Sequence, residues 1–198
     1  STRTVPQDKE LTMSDTMPDD DSTLMTELRA LLDKQAIYEV LVSYCRGADR
    51  GDADLIAAAY HDDAIEDHGG TFRGPAADYV ATMRKVLPKA PRMTHAITNI
   101  MIELDGDRAL TECYIMTFSR RDTGVDDPFD SLTMARVIDR FERRDGRWAI
   151  AHRRLAWEWN HEMPLHESWG RGAIAPDPAA LVRGAKKPDD ILYSQDWS

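Results

Sequence analysis

The chain has 198 residues, of which 42% are hydrophobic and 30% charged, and its formal net charge is −10. That length supports one domain with a real core plus tails, and the balance is that of a globular protein. The acidity argues against a partner that needs a basic face, whether nucleic acid or an anionic membrane, and no apolar run reaches the ~18 residues that cross a membrane.

Residues 1–21, rich in Asp, Thr, Ser and Pro, have little to bury and are expected to form a flexible tail. They show no apolar h-region, which predicts no secretory signal and a cytoplasmic protein. A folded domain is expected over 22–162. Helical spacing starts near Leu24, and Leu24, Leu28, Leu31, Leu41 and Tyr44 form one stripe expected to be buried. Ser22 or Thr23 can cap that helix, which fades over Gly47–Gly51. Asp52 can cap a second, short helix carrying Leu55, Ile56, Ala59 and Tyr60. The run HDDAIEDHGGTFRG predicts a short strand, a glycine turn and a return. Gly74-Pro75 opens a third helix that Pro88 stops.

From Arg92 the hydrophobic period becomes two. MTHAITNIMIEL, RALTECYIMTFSR, SLTMARVIDRFERR and RWAIAHRRLAW predict four long strands, with hairpin turns at Asp105-Gly106 and Asp145-Gly146. Helices followed by a run of antiparallel strands is an α+β pattern without parallel crossovers. Residues 163–198, rich in Pro and Gly, predict an arm packed on the domain or on a neighbouring subunit. Cys45 and Cys113 fall in periodic elements without C-x-x-C spacing and are expected to be buried free thiols of a reducing compartment.

His95 sits near the start of the first long strand. By alternation it shares a face with Met93, Ile97 and Asn99. An imidazole can serve as general acid or base, or be a structural histidine bonded to backbone. Asp49, beside glycines at the end of the first helix, has the setting of a turn aspartate. Tyr44 lies on the buried helix stripe, so its phenol needs a partner. On the last strand strict alternation puts Trp148, Ile150, His152 and Arg154 on one face and aims His152 and Arg154 at a pocket. Arg154 could steady a developing oxyanion or pair with an acid at the rim. Glu66 and His68 share a face on the short early strand, with Asp67 opposite. Glu112 and Tyr114 share one on the second long strand. Phe72, Tyr79, Met83, Met93, Met101, Tyr114, Met116 and Trp157 suit an aromatic guest or an ordinary core. No H-E-x-x-H, glycine-rich phosphate loop, G-x-S-x-G elbow or Cys-His nucleophile pattern occurs, so no metal and no cofactor are expected.

The order of elements, with Tyr44 and Asp49 in YCRGADRGD, the YHDDAIEDHGGTFRG segment, His95 and Asn99 in THAITN, and FERRDGRWAIAHRR, resembles the nuclear-transport-factor-2-like superfamily in its SnoaL-like branch over residues 24–160. The resemblance implies a cone-shaped curved antiparallel sheet wrapped around three N-terminal helices, in trimers or dimers. It implies that Asp49 orients His95, that His95 moves a proton, and that Tyr44 handles a substrate oxygen. With Arg154 these form the expected catalytic set; His68, Glu66, Asn99, Tyr114, His152, Met93 and Trp157 are expected to bind substrate. Relatives include dehydratases, a dehydrochlorinase, polyketide cyclases and diarylpropane lyases. The expectation is a cofactor-independent lyase acting on a hydroxylated aromatic or polycyclic small molecule. An isomerase, cyclase or epoxide hydrolase would use the same dyad. A non-catalytic binding module and a dioxygenase small subunit share the fold.

Overall fold

The computed structural model describes residues 21–122, 124, 127–166 and 181–194. Helix α1 (Asp21–Arg50) is followed by α2 (Ala53–Ala58), strands β1 (Tyr60–Asp67) and β2 (Arg73–Pro75), and α3 (Ala76–Val86). A 3-10 turn at Leu87–Lys89 leads into β3 (Met93–Asp105), β4 (Arg108–Arg121), β5 (Phe129–Arg144) and β6 (Arg147–Pro164), and α4 (Ile191–Ser194) lies beyond. One curved, unclosed sheet holds six strands in the order β2-β1-β6-β5-β4-β3, with β1 and β3 far apart in it. The long strands pair antiparallel, but β1 runs parallel to β6, a crossover that the expected all-antiparallel sheet lacks.

Local chemistry sets the joints. Asp52 caps α2 by accepting the Asp54 backbone N–H at 3.2 Å. The β5–β6 turn has two residues, Asp145 (φ 52) and Gly146 (φ 78), the positive-φ pair of a type I′ hairpin. Pro75 is the N-cap of α3 rather than its first helical residue.

The core lies between α1, α3 and the inner sheet face. It includes Ile37 and Leu41 from α1, Tyr79 and Val80 from α3, and Ile115, Val137, Phe141, Trp148 and Ile150 from the sheet. The predicted leucine stripe is buried only in its second half. Leu41 and Tyr44 are inside, whereas Leu24, Leu28 and Leu31 are exposed, because the buried residues of α1 begin at Ile37. Residues 1–20 and half of the 163–198 arm, 167–180 and 195–198, lie outside the described residues. Within the described part of the arm, 181–194 docks on the end of α1: Arg50 reaches the Asp190 carboxylate at 2.8 Å and Lys187 reaches Asp52 at 2.8 Å.

Three bulges change which residues face inward. In β3, Asn99 and Ile100 together oppose Cys113, with Asn99 at φ 48. In β6, Ala151 is an extra residue between Ile150, opposite Phe141, and His152, opposite Arg140. Glu158 is likewise extra between Trp157 and Trp159. Each inserted residue inverts the alternation beyond it.

Candidate functional site

A cavity of about 470 Å³ opens between the helices and the inner face of the sheet, a size that suits a ring-bearing small molecule. Its wall is mostly apolar and aromatic, with a few polar groups converging on it. Phe72, Tyr79, Met83, Met93 and Trp157 line it. Met101, Tyr114 and Met116, also considered as pocket residues, are on the other face of their strands.

His95 lines the cavity from β3, and its Nδ1 lies 2.6 Å from Asp49 Oδ1. The His95 backbone N–H also donates to both Asp49 carboxylate oxygens, each at 3.1 Å. Side-chain exposures of 16% and 11% make this a sheltered pair. Asp49 therefore holds both the ring and the strand that carries it. With Nδ1 committed as a donor to the carboxylate, Nε2 is the nitrogen left for chemistry, and it has no hydrogen-bond partner among the described residues. The pair sits at the end of α1, where a carboxylate faces the negative pole of the helix dipole.

Tyr44 projects from α1 into the same cavity, and its hydroxyl lies 3.0 Å from that of Tyr79 on α3. Burial holds both phenols well above their ordinary pKa, so both keep their protons. Two hydroxyls bring two protons and one fills the mutual bond, so one proton remains to donate to a ligand oxygen.

The arginine of the site is Arg153, not Arg154. The Ala151 bulge turns Arg153, Leu155 and Trp157 inward and sends His152 and Arg154 to the outer face. The Arg154 side chain is 69% exposed and its nearest acid is Asp67 at 3.6 Å. Arg153 is 1% exposed and donates through Nε and Nη2 to Asp139 at 2.8 and 2.7 Å. Its guanidinium lies 4.2 Å from the centre of the Tyr44 ring. Burial alone would lower its pKa, but Asp139 outweighs that and keeps it well above the ordinary value. Burial also raises the Asp139 carboxyl, against the pull of Arg153.

Two other expected pocket residues also point elsewhere. Asn99 sits on the β3 bulge and is exposed, and Tyr114 is on the outer face of β4 opposite Arg136. His68 does line the cavity, with its Nδ1 2.7 Å from Glu66 Oε1, its ring stacked on Tyr79 and its edge toward Trp157. Glu66 is fully buried and does not reach the cavity itself; the Tyr60 hydroxyl donates to its second oxygen at 2.5 Å. Trp157 is half-exposed and donates its indole N–H to the Gly69 carbonyl at 2.9 Å. Gly69 has φ 58, and a Cβ there would sit 2.7 Å from the indole nitrogen, so this contact requires glycine. Strict alternation missed Arg153 and its partner Asp139; a bulge that leaves no mark in the sequence is the reason.

Among the described residues no group of three or more His, Cys, Asp or Glu side chains could hold a metal ion, and no helix is long and apolar enough to cross a membrane. A comparison with curated proteins returned no match. Among solved structures, a hexachlorocyclohexane dehydrochlorinase, LinA type 2, superposes with TM-score 0.63 at 18% identity, covering 78% of this chain and 99% of its own. A candidate scytalone dehydratase from Novosphingobium aromaticivorans gives 0.60 at 18%, covering 72% and 97%. A protein from Kribbella flavida, Kfla4162, gives 0.60 at 21%, covering 67% and 95%. At these identities the likeness is one of fold. The SnoaL-like domain matches residues 29–154, a span that includes Asp49, His68, His95 and Arg153, and the chain belongs to that family, within the nuclear-transport-factor-2-like superfamily.

Proposed function

We propose that the protein is a cofactor-independent lyase that eliminates a small molecule from a hydroxylated aromatic or polycyclic substrate. The observation that carries this reading is the 2.6 Å contact between Asp49 and the Nδ1 of His95, made on the wall of a sheltered apolar cavity. A tautomer fixed in this way presents Nε2 as a base. His95 removes the proton; Asp49 orients the ring and balances the imidazolium that forms. The hydroxyl pair of Tyr44 and Tyr79 donates to the substrate oxygen that gains electron density. Arg153, beneath the Tyr44 ring, contributes positive potential from behind rather than a direct contact. The aromatic lining from Phe72, Tyr79 and Trp157 suits a ring, and structural neighbours named as a dehydratase and a dehydrochlorinase support elimination as the reaction type.

The test is turnover followed by product mass, using hydroxylated diarylpropanes, sterols and phenolic polyketide analogues. Loss of water or formaldehyde is expected, with at least ~100-fold lower turnover in His95→Ala, the scale of an acid–base group. Unchanged mass would make the enzyme an isomerase or cyclase, and a gain of water a hydrolase. Full turnover in His95→Ala would remove the dyad from the chemistry.

A further inference from the structure

The cavity holds a second histidine–carboxylate pair. His95 comes from β3 at one edge of the sheet; His68 follows β1 near the other edge, and both rings line the same space. The pairs are built alike: each ring is held through Nδ1 by a sheltered carboxylate, at 2.6 Å for Asp49 and 2.7 Å for Glu66. The backbone of His68 is fixed as well, its N–H donating to the Phe72 carbonyl at 2.8 Å.

Their electrostatic surroundings differ. Behind His68 lie Glu66 and Asp139, each 0% exposed, and Arg153 at 1%. Glu66 and Arg153 are register neighbours on β1 and β6. Both Asp139 oxygens accept from the Arg153 guanidinium. Both Glu66 oxygens are also occupied, one by the Tyr60 hydroxyl and one by the His68 ring. Two buried carboxyl groups therefore lie near a single guanidinium in a space almost without water, where a negative charge left unbalanced is costly. The Tyr44, Tyr60 and Tyr79 phenols that surround the cluster are neutral. The nearest group able to supply the missing positive charge is His68, by carrying a proton on both ring nitrogens.

We infer that His68, held by Glu66, is the proton donor of the site, acting across the cavity from His95. This rests on the reading of His95 as the base. The division of labour balances. His95 Nε2 takes a proton from carbon, that electron pair forms the C=C bond, and the C–O bond breaks. The oxygen then leaves as water with the proton from His68 Nε2. Substrate becomes alkene plus water, and the two rings recover their starting states by exchange with solvent. The substrate class narrows accordingly, to compounds whose leaving oxygen is a hydroxyl that needs a proton in order to depart.

The experiment has two arms on the full chain. In the first, side-chain nitrogen NMR of histidine-labelled protein at neutral pH is expected to show both His68 ring nitrogens protonated, and a neutral ring in Glu66→Gln. A neutral His68 in the unsubstituted protein would overturn the inference whether or not any substrate is known. In the second arm, the aldol adduct of benzaldehyde and acetone, which loses water to give benzalacetone, is compared with its O-acetyl derivative, whose acetate leaves without a proton. His68→Gln is expected to lower kcat on the hydroxy compound at least ~100-fold with little change in KM, and to recover most of the rate on the acetate. His95→Ala is expected to lose both reactions. Equal losses on the two probes in His68→Gln, or none, would overturn the donor role. No loss in His95→Ala would instead sink the parent reading. Absence of turnover of either probe by the unsubstituted protein counts against elimination of this type and leaves the NMR arm to decide the state of His68. Because Glu66 is buried and its variant can fail to fold, His68→Gln, at a side chain 21% exposed, carries the second arm.

Discussion

Asp49 makes three hydrogen-bonding contacts to one residue, two with the backbone N–H of His95 and one with its ring. The carboxylate therefore sets the position of β3 at this point and the orientation of the imidazole together. Asp49→Asn keeps the shape but has one acceptor oxygen to share between two donors, and it turns an N–H₂ toward one of them. Turnover is expected to fall at least ~100-fold while the melting temperature shifts by only a few degrees. Paired kinetics and thermal unfolding check both halves; a fall in stability with normal kcat would make Asp49 a purely structural clamp.

Removing one partner of the Arg153–Asp139 pair leaves the other charged, buried and alone. Arg153→Met is expected to cost about 3–5 kcal/mol in urea unfolding, and Arg153→Met combined with Asp139→Leu to recover most of that loss. A double variant as unstable as the single one would show that the guanidinium's stacking on Tyr44, rather than charge pairing, sets the cost.

Docking of residues 181–194 on α1 depends on two carboxylates held below the usual range. For Asp190 the Ala185 backbone N–H is the main cause, with further help from Leu192 and Arg50. For Asp52, burial works the other way but is outweighed by Lys187 and the α2 backbone. A depressed folded-state pKa contributes stability that is present above the unfolded value of about 3.9 and lost as pH falls through the folded value. The protection of the backbone amides over 181–194, taken as the slowing of their exchange relative to the unfolded chain at the same pH, is expected to be high at pH 7 and to fall sharply below about pH 4, before that of the sheet. Protection that stays constant across that window would rule out these carboxylates as the latch.

Burial pushes the thiols of Cys45 and Cys113 up to about 12, so almost none is thiolate at neutral or mildly alkaline pH. An aromatic disulfide reagent at pH 8 is expected to leave both untouched in the native protein and to titrate both in denaturant. Reaction of either native thiol on the minute scale would mean that the core opens there.

Much of this architecture was legible in the sequence because its signals are local. Asp52 before a short apolar helix and Asp145-Gly146 between alternating runs name their own geometry. The meeting of His95 with Asp49, 46 positions apart, came from family resemblance and not from spacing. What could not be read depends on the curvature of the whole sheet. Nothing about Ala151 marks it as an extra residue, yet it moves the inward arginine from Arg154 to Arg153 and places His152 outside. Asn99 left the His95 face for the same reason. The leucines early in α1 have perfect helical spacing, but spacing cannot say where along a helix the sheet stops covering it.

The bulge at Ala151 also bears on how such a cavity could be re-equipped. Downstream of it the strand carries two interleaved sets of side chains, Arg153, Leu155 and Trp157 inward, with His152, Arg154 and Ala156 as their alternates. Deleting His152 with the bulge kept exchanges the sets up to the next bulge at Glu158, whereas deleting Ala151 itself closes the bulge and leaves both sets on their present faces. A single codon lost or gained there would thus replace a buried guanidinium and an indole at the mouth together, a larger change in chemistry than any point substitution in the wall.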